Sequence, residues 1–151
     1  MGYGQPYGAY GAYGAYRDTG VKTASQGKLV VMLYDEAIRQ LSYAVSYLMG
    51  GNKIEAQNIE QFSKHIIKVQ EIITELMISL DMNAGGDISK NLMSLYIYFN
   101  QELMNISISH NRDKITFIQD MLMQLRDAWA EAATEAGREP APLMNGIDIN
   151  G

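Results

Sequence analysis

Apolar residues recur at steps of three and four through four successive stretches of this chain, and short polar breaks separate those stretches. This spacing collects side chains on one face of a 3.6-residue helix. The breaks lie at residues 50–52, 83–86 and 110–111. Because links this short leave successive helices side by side and antiparallel, the sequence predicts an all-α fold, an antiparallel up-down-up-down four-helix bundle.

The predicted helices cover about residues 25–49, 53–80, 87–109 and 113–135, as bounded by turn signals. The predicted core stripe of the second helix is Ile59, Phe62, Ile66, Val69, Ile73, Leu76 and Leu80. That of the third is Ile88, Leu92, Leu95, Tyr96, Phe99, Leu103 and Ile106. Five carboxylates lie mostly outside the core stripes and are predicted to face solvent: Asp35, Glu36, Glu71, Glu75 and Asp120.

The chain divides into one domain with two tails. Residues 1–22 are a low-complexity Tyr/Gly arm, in which glycine favours flexibility. Residues 23–136 carry the helical pattern, and a total of 151 residues suits one bundle with a substantial core better than two domains. Residues 137–151 contain Pro140 and Pro142 and are predicted to form an irregular C-terminal tail.

Composition excludes several classes of function. The net charge of −5 offers no overall positive field for nucleic acid. No stretch approaches the roughly 18 apolar residues that span a bilayer, so no membrane insertion is expected. The chain lacks cysteine and any secretory leader pattern. We therefore expect a protein of the cytosol.

The sequence offers no catalytic or metal-binding constellation. His65 and His110 have no ligand residue at helical spacing, so neither is expected to bind a metal. Gly85-Gly86 lacks the Lys-Ser/Thr of a phosphate loop and is predicted to end a helix. We expect a protein that is not an enzyme and uses no cofactor.

The third helix carries a second apolar stripe that core packing does not explain. It lies roughly 120–180° away from the core stripe, since each residue advances a helix by about 100°. Ordinary domains seldom leave such a strip to water, which indicates a peptide groove or a homodimer contact. The predicted binding surface combines this stripe with outer residues of helices one and two: Met32, Ile67, Ile78, Met93, Ile97, Met104 and Ile108.

Several short motifs resemble the FliS-type flagellar secretion chaperones, over roughly residues 13–133. Residues 29–35 read LVVMLYD and residues 125–129 read LRDAW. Each motif is weak alone, but their order and spacing are specific. The residues that match best are Leu33, Tyr34, Asp35, Leu125, Arg126, Asp127 and Trp129. Tyr13 and Tyr16, ahead of the Thr23-Ala24-Ser25 segment, resemble the N-terminal arm of that family.

The resemblance implies a cytosolic chaperone that binds the disordered C-terminal segment of flagellin, keeps it unpolymerised and helps deliver it for export. It implies flagellin as the partner, with the flagellar export gate as a second candidate. It also implies that Tyr13 and Tyr16 cover part of the client site until the client displaces them. The alternative is a homodimeric helical bundle with no flagellin client, in which the second stripe closes the dimer.

Overall fold

The computed structural model of the protein describes residues 26–138, and four helices account for most of this range. Tyr13, Tyr16 and the capping residues predicted at 23–25 lie outside the described residues, as does the tail beyond 138. A single 3-10 turn, Ala56–Asn58, precedes the second helix. The helices are α1 Gln26–Ser46, α2 Ile59–Ser79, α3 Gly86–Ser109 and α4 Arg112–Arg138.

The helices form the predicted up-down-up-down bundle. Helix α1 packs extensively against both α2 and α4, and α2 packs against α3, whereas α3 packs only lightly against α4. The hydrogen bonds between α1 and α4 show that these two helices are antiparallel. Arg126 of α4 donates to Asp35 in α1, and Gln119, which comes before Arg126 in α4, donates to the carbonyl of Ile38 and to Ser42, which come after Asp35 in α1. The predicted fold class is therefore confirmed.

The core is mostly apolar, but it contains a buried pair of tyrosine hydroxyl groups. The predicted stripe of α3 is confirmed, with Phe99 and Leu103 fully buried and Ile88, Leu92 and Leu95 packed at its edge. Tyr34 of α1 and Tyr96 of α3 are also fully buried, and their hydroxyl groups hydrogen-bond to each other. This bond links the two helices that lie diagonally across the bundle.

The start of α2 differs from the prediction. Helix α1 ends at Ser46 and α2 begins at Ile59, so residues 53–58 are not α-helical. Gly51 has a left-handed φ of +70°, which reverses the chain and lets the Met49 N–H donate to the Lys53 carbonyl at 2.7 Å. The Arg112 side chain of α4 then donates to the Met49 carbonyl at 2.9 Å. Helical periodicity carries no information about such a contact between residues far apart in the sequence.

Two residues of α2 differ in burial from the sequence prediction. Ile59, placed in the core stripe, is 40% exposed because it lies in the first turn of the shortened helix. Glu75, placed on a solvated face, is only 2% exposed. Helix α2 packs against both α1 and α3, so its buried face is broader than one stripe and also takes in Ile72.

Replacement of Phe99 by Ala is expected to destabilise the bundle strongly. The ring is fully buried, and its removal leaves a cavity that costs about 3–5 kcal/mol of the free energy of unfolding. The matched control is Phe117→Ala on α4, since Phe117 is 50% exposed and the loss should be below about 1 kcal/mol. Urea unfolding of both variants measures the difference, and equal losses would contradict the core assignment.

Candidate functional site

The outer surface between α2 and α3 is organised around one hydrogen bond. The side-chain amide of Gln70 in α2 donates to the backbone carbonyl of Asn100 in α3 at 3.2 Å. At one end of the helix pair the Phe62 ring packs edge-on against His110, and at the other the Ser89 hydroxyl donates to the Asp81 carbonyl. These three contacts fix an antiparallel register in which Gln70 lies level with Asn100.

The predicted binding residues of α2 and α3 flank this hydrogen bond. Ile67 lies three residues before Gln70, on the same face of α2. Ile97 lies three residues before Asn100 and Met104 four after it, so both lie on the face of α3 that carries Asn100. The register places Ile78 level with Met93 and Ile67 level with Met104. Met93 is half-buried, and the others are exposed: Ile67 50%, Ile78 52%, Ile97 45%, Met104 62% and Ile108 79%.

Met32 lies apart from these six residues. It lines a cavity of about 310 Å³ between α1 and α4, among Lys28, Val31, Ala130, Ala133 and Thr134. The strip of apolar side chains along α2 and α3, named here the Met/Ile groove, therefore consists of Ile67, Ile78, Met93, Ile97, Met104 and Ile108. The sequence could not separate Met32 from this set, because helical phase within α1 does not say which neighbouring helix a residue faces.

The motif residues of α1 and α4 hold the bundle together. Leu33, Tyr34 and Trp129 are buried, and Leu125 packs at the edge of the core. Arg126 Nε donates to Asp35 Oδ1 at 2.7 Å, joining α4 to α1.

Arg126 also bonds to Asp127 on its own helix, at 3.2 Å. The hydrogen bonds to Asp35 and Asp127 raise the pKa of Arg126. The motif residues therefore pack in the core or join α1 to α4, whereas the Met/Ile groove lies on α2 and α3.

The buried tyrosine pair stays protonated. Burial raises the pKa of Tyr34 well above its ordinary value, and the neighbouring Tyr96 raises it further. Burial likewise raises the pKa of Tyr96 to about 12. The pair thus adds no charge to the core at neutral pH.

His65 lies in a setting that the sequence analysis missed. Its ring is stacked on Tyr47, with centroids 5.9 Å apart, and lies against Tyr43 at 5.2 Å. Its Nδ1 is 2.6 Å from Oε1 of Gln40, which is itself 92% buried, since its exposed fraction is 8%. The i, i+4 spacing of Tyr43 and Tyr47 was visible in the sequence, but their alignment with a residue of α2 was not.

The described residues lack the features of some other classes of site. Within residues 26–138 no group of three or more His, Asp or Glu side chains is placed to hold a metal ion. None of the helices in this range is long and apolar enough to cross a bilayer. What distinguishes the surface is the exposed Met/Ile groove.

Comparison with known proteins places this surface in a family context. The family model described as flagellar protein FliS matches residues 9–136, a span that includes both motif regions and every residue of the Met/Ile groove. The chain belongs to the FliS family. The resemblance seen in the motifs is thereby confirmed.

Three relatives are flagellar secretion chaperones named FliS. The chain is 28% identical to that of Bacillus subtilis over 116 residues, which is 77% of this chain and 81% of the relative. It is 27% identical to that of Escherichia coli over 115 residues, covering 76% and 81%. For Salmonella typhimurium the identity is 29% over 119 residues, covering 79% and 84%. The family and the names of these relatives support an export chaperone role for this chain.

The stability of this FliS-family bundle should depend on the protonation of His65. Burial, and secondarily the charge of Lys68, lower the pKa of His65 from its ordinary value of 6.5. The unfolded chain therefore binds more protons just below that pH, so acidification through this window lowers the free energy of unfolding. Burial raises the pKa of Glu71, and by itself this makes acidification increase the free energy of unfolding. A His65 variant keeps this contribution of Glu71.

The measurement is urea unfolding of the wild type and His65→Gln at pH 7.5 and pH 5.5. We expect the wild type to lose more stability on acidification than His65→Gln does. The comparison is between the two pH values for each protein, so a constant cost of the substitution cancels. The same loss in both proteins would contradict the assignment of the effect to His65.

Proposed function

We propose that this chain is an export chaperone that binds the disordered C-terminal segment of flagellin in the Met/Ile groove. Binding keeps the segment unpolymerised in the cytosol and prepares it for delivery to the flagellar secretion apparatus. The observation that carries the proposal is the exposed apolar stripe on either side of the Gln70–Asn100 bond, in a chain of the FliS family.

The chemistry of the groove suits an amphipathic segment. An exposed apolar strip is costly in water, and an apolar partner that covers it gains roughly 25 cal/mol for each Å² removed from solvent. Met93 and Met104 are unbranched and polarizable, so they adapt to side chains of different shapes. A segment that forms a helix on binding would place residues at i, i+3, i+4 and i+7 along the groove.

A disordered client also explains why no catalytic group is needed. A chain that folds only on its partner covers a large surface at moderate affinity, and can be released again. Capping the segment that would otherwise polymerise requires only that the groove hold it. In this proposal Tyr13 and Tyr16 compete with the client for part of the groove, so that arm and client are alternative ligands of one surface.

Replacement of Ile97 and Met104 by Asp should abolish client binding without unfolding the bundle. Both side chains are exposed, yet in the complex each carboxylate would be buried in an apolar contact. We expect the Kd to rise at least about 100-fold, as for substitutions at the centre of an interface. The measurement is calorimetric titration with the last 40 or so residues of flagellin from the same organism.

The matched control is Phe117→Asp with Met123→Asp on α4, which adds the same charge at two residues of similar exposure. This variant should bind the flagellin segment as the wild type does. Circular dichroism confirms that each variant is folded. Unchanged binding by the folded groove variant would overturn the site assignment, and absence of binding by the folded wild type would overturn the proposed client.

Sedimentation of the free proteins tests the homodimer alternative with the same variants. A dimer of the wild type at low micromolar concentration, dissociated by the groove substitutions but not by those on α4, would assign the stripe to self-association. A wild-type monomer that binds flagellin one to one supports the chaperone.

A further inference from the structure

A second cavity adjoins the Met/Ile groove on the other side of α2. It lies between α1 and α2 and has a volume of about 380 Å³, within the range of roughly 300–1,000 Å³ found for ligand pockets. Its lining is Gln40, Gln61, Lys64, His65, Ile67, Lys68 and Glu71. Ile67 belongs to both surfaces, so a peptide bound in the groove needs to pass only the Ile67 side chain to reach the cavity.

The wall formed by α1 is polar and hydrogen-bonded. The Gln40 amide nitrogen donates to Glu36 Oε2 at 2.8 Å, which leaves Gln40 Oε1 to face His65 Nδ1. The network therefore assigns the proton of the neutral ring to Nδ1 and an acceptor lone pair to Nε2. With Tyr43 and Tyr47 against the ring, His65 is held in place before any ligand arrives.

The wall formed by α2 is positively charged. Two lysines face one carboxylate, that of Glu71, among the described residues of the lining. Lys64 is paired loosely with Glu60, at 3.8 Å on the exposed surface, and such a pair contributes little. Lys68 forms no ion pair within 4 Å in residues 26–138. Its charge nevertheless acts on both His65 and Glu71: it adds to the burial that lowers the pKa of His65, and it partly offsets the burial that raises the pKa of Glu71.

We propose that this cavity, the Lys68 subsite, takes the carboxylate of an acidic side chain from the same segment that lies in the Met/Ile groove. The proposal rests on the proposed function. The ammonium of Lys68 would donate a charge-assisted hydrogen bond to that carboxylate beside the fixed ring of His65. The local positive charge stands out in a chain of net charge −5.

The subsite would supply selectivity that the groove lacks. An apolar groove accepts many amphipathic segments, since burial of apolar surface is not directional. A charge at a defined distance from the groove favours a segment with an acidic residue at one register, and disfavours one with a basic residue there. The apolar stripe would then set affinity, and Lys68 would set which segment binds and in which register.

The test uses two flagellin peptides of about 40 C-terminal residues. One has the natural sequence of the same organism, and in the other every Asp and Glu is replaced by Asn or Gln. Both are titrated into the wild type, Lys68→Met, Lys68→Arg and Lys53→Met. Lys68→Met removes the charge but keeps an apolar stem, Lys68→Arg keeps the charge, and Lys53→Met removes an exposed charge outside the cavity.

We expect Lys68→Met to raise the Kd of the natural peptide about 3- to 10-fold at low salt, while the amide peptide changes less than about 2-fold. Lys68→Arg and Lys53→Met should bind the natural peptide as the wild type does. Equal losses for the two peptides would mean that packing of the stem matters and not its charge, and would overturn the proposal. An unchanged Kd of the natural peptide with Lys68→Met would overturn it as well.

The groove variants separate this proposal from the proposed function. If Ile97→Asp with Met104→Asp abolishes binding while Lys68→Met leaves it unchanged, only the subsite fails. If the folded wild type does not bind the natural peptide, the proposed function fails and the subsite with it.

Discussion

The hydroxyl groups of Tyr34 and Tyr96 meet inside a mostly apolar core, and their hydrogen bond joins the two helices that lie diagonally across the bundle. A buried hydroxyl without a partner costs roughly 1–3 kcal/mol, so a slip of α1 against α3 would be penalised even where apolar packing tolerated it. The buried Trp129 of α4 belongs to the same core, so a third helix packs into it. Apolar stripes can slide by a turn at little cost, but a buried polar pair specifies one register.

That register determines what the outer surface presents. With α2 and α3 fixed around the Gln70–Asn100 bond, side chains spaced three and four residues from these two are brought to one groove. The inner faces are occupied by packing, and the motif residues of α1 and α4 are used to join those helices. The exposed isoleucines and methionines of α2 and α3 contribute little to the core, so core packing does not explain their apolar character.

Much of this arrangement was predictable from local patterns. The core stripe and the exposed stripe of α3 both follow from a 3.6-residue period, and both were placed on the correct sides. The prediction was wrong for residues 53–58, because the chain reverses at Gly51, just before this segment, in a loop whose Met49 carbonyl accepts from the Arg112 side chain of α4. It was wrong for Glu75 because α2 is covered by two helices, and a helical wheel shows only one stripe.

The sequence by itself determined the helical class, the antiparallel order and which α3 residues face outward, because each of these depends on spacing within one helix or on the length of a link. Only the tertiary structure decided which helices share a groove. It separated Met32 from the Met/Ile groove and brought Gln40, Tyr43 and Tyr47 of α1 around His65 of α2. Those neighbours are set by register and rotation between helices, which depend on packing across the whole bundle and leave no periodic signal in either helix.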